Sequence, residues 1–424
     1  MGFENIDKIF EDVLGKPSVF KSKETLYPEY IPQRLPHREN QLKMLIQYFR
    51  PILYNPGSIS QRVFVHGPLG VGKTVTVRAF GEHMMRRAHQ KGINLRYVHI
   101  NCHRARTTFQ VIQELAKHIG APVPQRGLSA LELYSSVLEF LDRENMYIII
   151  GLDEFDYFVR TSGSDALYFF VRTYDEHPDL VRRVNFILIS RSIVELELLD
   201  SATSSYLMRH IVPFKPYKSY ELLEILKDRR DEAFWEGTVS DEVLYMISEA
   251  IGVDTGGDGN ARAAIEILRL AGEAADYEGS GVVTLDHVRK AYAVEVSSAT
   301  SYLALARDAL LHMPLHQVLI YVAIIRALRN SGKQYVRMGD VEGEYGLLCE
   351  LYGEVPRGHT QVYEYIKDLK QRGLIEAKAS GKGYRGKSTL IGIVNAPLEL
   401  LEEEAFSIID KITTGSKSHV STRF

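Results

Sequence analysis

One octapeptide, Gly67-Pro68-Leu69-Gly70-Val71-Gly72-Lys73-Thr74, constrains this chain more than any other feature. It fits G-x-x-x-x-G-K-[ST], a phosphate-binding loop whose context must be a strand before it and a helix after it. Both are present: Arg62 to Val65 is a short apolar run, and Thr74 to about Arg87 carries a helical pattern. The glycines let backbone N–H groups turn inward around phosphates, and the helix start adds its positive end. Lys73 then reaches the β- and γ-phosphates while Thr74 offers a hydroxyl to Mg²⁺. The pattern alone arises by chance in roughly one or two chains in a hundred of this length, and the strand and helix remove most of those. The expected ligand is ATP or ADP, held by residues 67–74 and Val75, the next residue of the helix.

Further short apolar runs alternate with helical stretches up to Phe214: Tyr97 to Ile100, Tyr147 to Leu152, and Val184 to Ile189. Continuous apolar strands separated by helices predict a parallel sheet buried on both faces. The third strand ends Ile148-Ile149-Ile150-Gly151-Leu152-Asp153-Glu154, the form of a Walker B segment. Asp153 is expected to hold Mg²⁺, directly or through water, and Glu154 to polarise the water that attacks the γ-phosphate. Together with Lys73, Glu154 is the candidate catalytic residue.

A chain of 424 residues exceeds the size at which one core keeps growing, so several domains are expected. An N-terminal arm and the nucleotide-binding core occupy 1–216. Residues 217–296 read as helical only, a lid, and 297–412 have the helix and strand order of a winged helix. The composition of 413–424 is that of a disordered end. The net charge of −3 names no partner, so any nucleic-acid surface must be local. The two cysteines, Cys102 and Cys349, match no zinc or disulfide spacing, favour a reducing compartment and read as buried fillers. Without a signal region or an apolar run near ~20 residues, the expectation is a cytoplasmic, nucleoid-associated protein with no membrane partner.

The basic surface lies in the last domain. Arg357 to Ser388 holds eight Lys/Arg against three Asp/Glu. Val362, Ile366 and Leu369 form an apolar stripe on a helix from Gln361 to Gln371, which leaves Thr360, Gln361, Lys367, Lys370 and Gln371 on other faces. The turn Ser380 to Lys387 supplies Lys382, Gly383, Tyr384, Arg385 and Lys387, with glycines that allow close backbone approach to a groove and cations that meet phosphates.

Over about residues 28 to 400 the chain resembles the archaeal origin-recognition and Cdc-type AAA+ initiators. The resemblance rests on Tyr30-Ile31-Pro32 with Leu35 to Glu39, Asn101-Cys102, Pro124 with Gly127 to Ser129, Leu152-Asp153-Glu154, Pro216-Tyr217, and Gly257-Asp258 with Ala261-Arg262, in that order before the winged helix. It implies an α/β P-loop AAA+ core with a helical lid and a C-terminal winged-helix domain. It also places Tyr30, Ile31 and Arg38 around the base, Tyr217 and Arg229 on the lid side of the nucleotide, and Arg262 as a sensor 2 arginine. An initiator-specific helical insertion within about His103 to Ser129 makes Arg104, Arg106, Thr107 and Thr108 further DNA contacts, and two contacts on one duplex could bend it. Two departures stand out. Arg191 occupies the position of the sensor 1 asparagine, and Leu199 to Ala202 lacks the arginine that serves a neighbouring subunit. The expectation is a slow ATPase used as a switch by a replication initiator, one that binds duplex origin DNA and helps recruit or load the replicative helicase, with other initiator copies as further partners. The alternative is a STAND-like or transposition-associated ATPase switch with a winged-helix interaction domain. A metabolic P-loop kinase would leave the C-terminal third unexplained.

Overall fold

The structure, a computed structural model, describes residue 15 and residues 17–124, 127–162, 174, 181–192, 209–295, 299–379, 389–394 and 396–418. Five strands form a parallel sheet: β1 (Arg62–His66), β2 (Leu95–Asn101), β3 (Tyr147–Asp153), β4 (Val184–Ser190) and β5 (Ile211–Pro213), in the order β2-β3-β4-β1-β5. Every residue of β3 and β4 is buried, as a sheet covered by helices on both faces requires. The alternation of side chains divides the strands between two cores. Phe64, Ile148, Ile150, Phe186 and Leu188 face the helices Thr108–Ile119 and Ala130–Arg143, while Val63, Val65, Ile149, Ile187 and Ile189 face Glu39–Tyr54 and Lys73–Gln90. At about 2 kcal/mol for each fully buried aliphatic side chain, this layering fixes the register. β3 pairs with β2 so that Asn101 lies opposite Asp153, and β1 pairs with β4 so that His66 lies opposite Ser190. The carboxyl ends of the strands are thereby gathered beside the glycine loop, where ligands bind in open α/β sheets.

Four helices follow, Ser219–Ala233, Asp241–Ile251, Ala261–Glu278 and Leu285–Glu295, around a core of Leu222, Leu226, Ile247, Ile267 and Leu268. The N-terminal segment is part of this unit. Val19 N–H donates to Asp276 Oδ1 at 2.7 Å, and the rings of Phe20 and Phe234 lie 4.7 Å apart.

The last unit packs Leu315–Ser331, buried at nearly every position, against Met338–Tyr352, His359–Gln371 and a three-stranded sheet, β6 (Val336–Arg337), β8 (Thr389–Gly392) and β7 (Glu376–Ala379). Its final helix, Leu398–Ser418, runs past the position where composition suggested a disordered end. Leu398, Leu401, Ala405, Ile408 and Ile409 continue a buried stripe along it, with Ile412 packed on that stripe. Both cysteines are buried and unpaired. Among the described residues no helix is long and apolar enough to cross a membrane.

Candidate functional site

Sequence dictates the geometry of the glycine loop through its φ angles. Gly70 and Gly72 sit at φ +72° and +84°, where glycine carries no Cβ penalty. The loop wraps one end of a cleft of about 430 Å³ lined by Leu69 to Val75 and by residues of the arm, the strand ends and the lid. Lys73 Nζ donates to the carbonyls of Gly67 and Pro68, both at 2.6 Å. Burial pulls its ammonium down to about 8, since a charge leaving water favours the neutral form.

Thr74 Oγ1 donates to Asp153 Oδ2 at 2.7 Å, so the two expected Mg²⁺ ligands converge. Burial would raise the Asp153 carboxyl, but hydrogen bonds from His99 and Thr74 outweigh it and hold the group below its usual range. His99 is a residue the sequence reading missed. Its Nε2 lies 3.2 Å from Asp153 Oδ2, and its Nδ1 lies 2.9 Å from the Tyr97 hydroxyl oxygen. A carboxylate can only accept, so the Nε2 proton is directed at Asp153 and Nδ1 accepts from the Tyr97 hydroxyl. Asp156, one turn beyond, lines the same cleft, and its Oδ1 is buried without a hydrogen bond. Hard oxygen donors beside a phosphate loop suit Mg²⁺, which takes one or two carboxylates and completes its shell with phosphate and water. Accordingly, no cluster of three or more His, Cys, Asp or Glu exists among the described residues to hold a metal alone.

Glu154 stands at φ +55°, a left-handed conformation uncommon for a non-glycine residue. Its N–H donates to Asp153 Oδ1 at 2.9 Å. Its carboxylate is bracketed by Arg191 Nη2 at 3.3 Å and His103 Nε2 at 3.4 Å. His103 in turn stacks on Tyr157, with centroids 3.8 Å apart. The candidate base is therefore engaged on both oxygens. Nothing but the Arg191 departure hinted at this in sequence, because β2 and β3 residues separated by about fifty positions meet only through strand pairing.

Tyr30 and Ile31 line the cleft from the arm, with Arg229 opposite them; its guanidinium lies 4.9 Å from the Tyr30 ring centre and its Nη1 donates to Glu232 at 2.9 Å. Arg38 is placed behind the loop. Its Nε, Nη1 and Nη2 donate to the carbonyls of Val71, His37 and Lys215, at 3.0, 2.9 and 3.1 Å. Its guanidinium also lies 3.7 Å from the centre of the Tyr217 ring. Burial lowers its pKa, so Arg38 acts as a strut for the phosphate loop. Burial likewise pushes the Tyr217 hydroxyl up to about 12.

The lid touches the loop directly. Ala261 N–H donates to the Gly70 carbonyl at 3.0 Å, and a Cβ at Gly70 would fall 1.6 Å from Asn260 Oδ1. That same oxygen caps the helix bearing Arg262, accepting from Arg262 N at 3.0 Å and Ala263 N at 3.2 Å. Arg262 lines the cleft.

The family models that match this chain are an AAA domain over residues 60–195, a Cdc6 AAA+ ATPase-type lid domain over 223–293 and a CDC6 C-terminal winged helix domain over 308–403. A curated relative, the ORC1-type DNA replication protein 2 of Sulfurisphaera tokodaii, is 44% identical over 392 residues, which covers 92% of this chain and 93% of the relative. This chain belongs to the ORC1-type DNA replication proteins. Among solved structures, Cdc6p from Pyrobaculum aerophilum matches with a TM-score of 0.78 at 31% identity, covering 93% of this chain and 99% of that one. The Aeropyrum pernix ORC1 protein in complex with DNA matches at 0.58 and 26%, covering 92% and 97%.

In this ORC1-type chain the outward residues divide by what the fold already asks of them. Thr107 caps the helix Thr108–Ile119, its side-chain oxygen accepting from Gln110 N–H. Thr108 opens that helix. Arg106 Nε donates to the His103 carbonyl at 3.0 Å, and Arg104 is exposed beside it. In the winged helix, Val362, Ile366 and Leu369 are buried, and Thr360, Gln361 and Lys367 are exposed. Lys370 is tied to the Ala377 carbonyl at 2.6 Å. Lys382, Gly383, Tyr384, Arg385 and Lys387 lie outside the described residues, as does Leu199 to Ala202.

Proposed function

We propose that this chain is an ATP-regulated replication initiator that binds duplex origin DNA through its winged helix and core and helps recruit or load the replicative helicase. Nucleotide is the switch and its hydrolysis is slow. The contact of Asn260 and Ala261 with Gly70 supports this reading, because it joins the lid to the phosphate loop. Tyr30, Ile31, Tyr217 and Arg229 hold the base end; Gly67 to Val75 and Arg262 hold the phosphates, with Arg38 bracing the loop. Thr74 and Asp153 would hold Mg²⁺, which neutralises charge on the phosphate oxygens. Glu154 must leave Arg191 and His103 before it can orient water, and that engagement is consistent with slow turnover. Arms, core, lid and winged helix are divided near 216 and 296.

Duplex binding is supported by the charge of Arg357 to Ser388 and by the family's Aeropyrum pernix member, solved with DNA. Thr360, Gln361 and Lys367 face the bases, Lys382, Gly383, Tyr384, Arg385 and Lys387 the backbone, and Arg104, Arg106, Thr107 and Thr108 a second contact. Other copies of the initiator and a nucleoid location belong to the same reading. Footprinting on genomic fragments tests it. A repeated element beside a replication start is expected to be protected, with loss on replacing Arg385 and Lys387 by alanine. Protection of no site better than random DNA would defeat the initiator reading and favour a switch ATPase without origin selection.

A further inference from the structure

From His83 to Gln113 the chain has no Asp or Glu but six Lys/Arg, namely Arg86, Arg87, Lys91, Arg96, Arg104 and Arg106. The last two belong to the loop already described. The other four gather at the opposite end of the core. The helix Lys73–Gln90 starts at the phosphate loop, and its 18 residues carry it about 27 Å away. β2 then runs back toward the cleft, so Arg96 stands at the amino-terminal edge of the sheet. There Arg86, His89 and Arg96 border a groove of about 440 Å³ whose lining includes Met85, Ile93 and Asn94.

Cations at the end of a helix complement its dipole, which accounts for part of this charge. Arg87 donates to Gln90 at 3.2 Å, and Lys91 lies over the Tyr54 ring. Arg96 is on a strand, where no such reason applies. Neither it nor the His89 ring makes an ion pair or side-chain hydrogen bond among the described residues, and the Arg86 contact with Glu82 is a loose surface pair at 3.8 Å. Three cationic or titratable groups thus face one groove without being consumed by the fold. The groove also has an apolar side, Met85 and Ile93, for which a duplex backbone has no use. An unpaired strand uses both: phosphates meet arginines, base faces lie on apolar surface, and a base edge can reach Asn94 Oδ1.

We infer that this groove is a single-stranded nucleic-acid site, separate from the winged helix and from residues 104–108. The test is fluorescence anisotropy on the full chain with a labelled oligothymidine, comparing wild type with the double variant Arg86→Gln, Arg96→Gln. Both side chains are exposed, so the fold should persist, and unchanged nucleotide and duplex binding verify it. The expected result is an affinity loss of about tenfold or more and a salt slope reduced by about 1.4, from two phosphate contacts at about 0.7 each on a single strand. Thiouracil-containing strands should also crosslink between Met85 and Arg96. Equal oligothymidine affinity in the variant, a parallel loss on duplex, or displacement of the strand by polyglutamate as readily as by unlabelled oligothymidine would each overturn the inference.

Discussion

Replacing Gly70 by alanine should separate the lid from the phosphate loop by a measurable amount. Two costs arise, and they act on different equilibria. Holding alanine at φ +72° costs about 1–2 kcal/mol, but the strain is present with or without nucleotide and so appears mainly in stability. The second cost is steric. The new Cβ would sit 1.6 Å from Asn260 Oδ1, and that oxygen can withdraw only by giving up its two cap hydrogen bonds to Arg262 and Ala263. Loss of an Asn cap costs about 1 kcal/mol, levied only when the lid is docked. With 1.4 kcal/mol per decade, nucleotide affinity should fall about five- to tenfold, read by titration with a fluorescent ADP analogue. A cycle with Asn260→Ala isolates the steric part. In that background Gly70→Ala should leave affinity nearly unchanged, a coupling of about 1 kcal/mol. Wild-type affinity in Gly70→Ala, or the same loss with Asn260→Ala already in place, would refute the lid-to-loop reasoning.

Lys73→Ala should abolish nucleotide binding, whereas Glu154→Gln should retain it and stop turnover; measurable hydrolysis by the latter removes Glu154 from the catalytic role. Because burial lowers the Lys73 ammonium to about 8, the folded apo chain binds fewer protons than the unfolded chain between about 8 and its ordinary value. This term therefore adds stability as pH rises through that window, while affinity for nucleotide, which needs the ammonium, should weaken above about pH 8 in the same titration. Arg38→Ala leaves three carbonyls short of a donor at about 1–3 kcal/mol for each buried group left unsatisfied, and should lower the melting temperature before it affects hydrolysis chemistry. His99→Phe should weaken Mg²⁺-dependent more than Mg²⁺-free nucleotide binding, since it deprives Asp153 of its positioning donor.

Much of the core was legible because its signals are local. The glycine loop, the apolar strands and the Asp153-Glu154 pair each announce themselves within a few residues, and hydrophobic periodicity marks the buried stripe of Val362, Ile366 and Leu369 on the helix His359–Gln371. What stayed hidden depends on register or on distant approach. His99 and Tyr97 matter because β2 lies beside β3, and His103 matters because the strand ends there. Arg38 was legible as a residue near the site but not as a strut, since its acceptors are backbone carbonyls from three segments. The final helix extends to Ser418, past the boundary that composition set near 412, although its buried stripe ends with Ile408, Ile409 and Ile412.

The lid and the winged helix share a seam with its own consequence. Buried Arg289 donates to the Ile393 carbonyl at 3.0 Å, Val394 packs into the lid core, and Lys378, at the base of the wing, pairs with Glu249 of the lid. On the proposed reading of nucleotide as a switch, a body joined in this way would turn as one piece. The helix Leu315–Ser331 alone, 17 residues, gives a radius of about 25 Å, over which a lid rotation of about 10° sweeps roughly 4 Å. Base pairs are spaced by about 3.4 Å. Nucleotide exchange would then be felt on DNA as a change of helical register more than of grip.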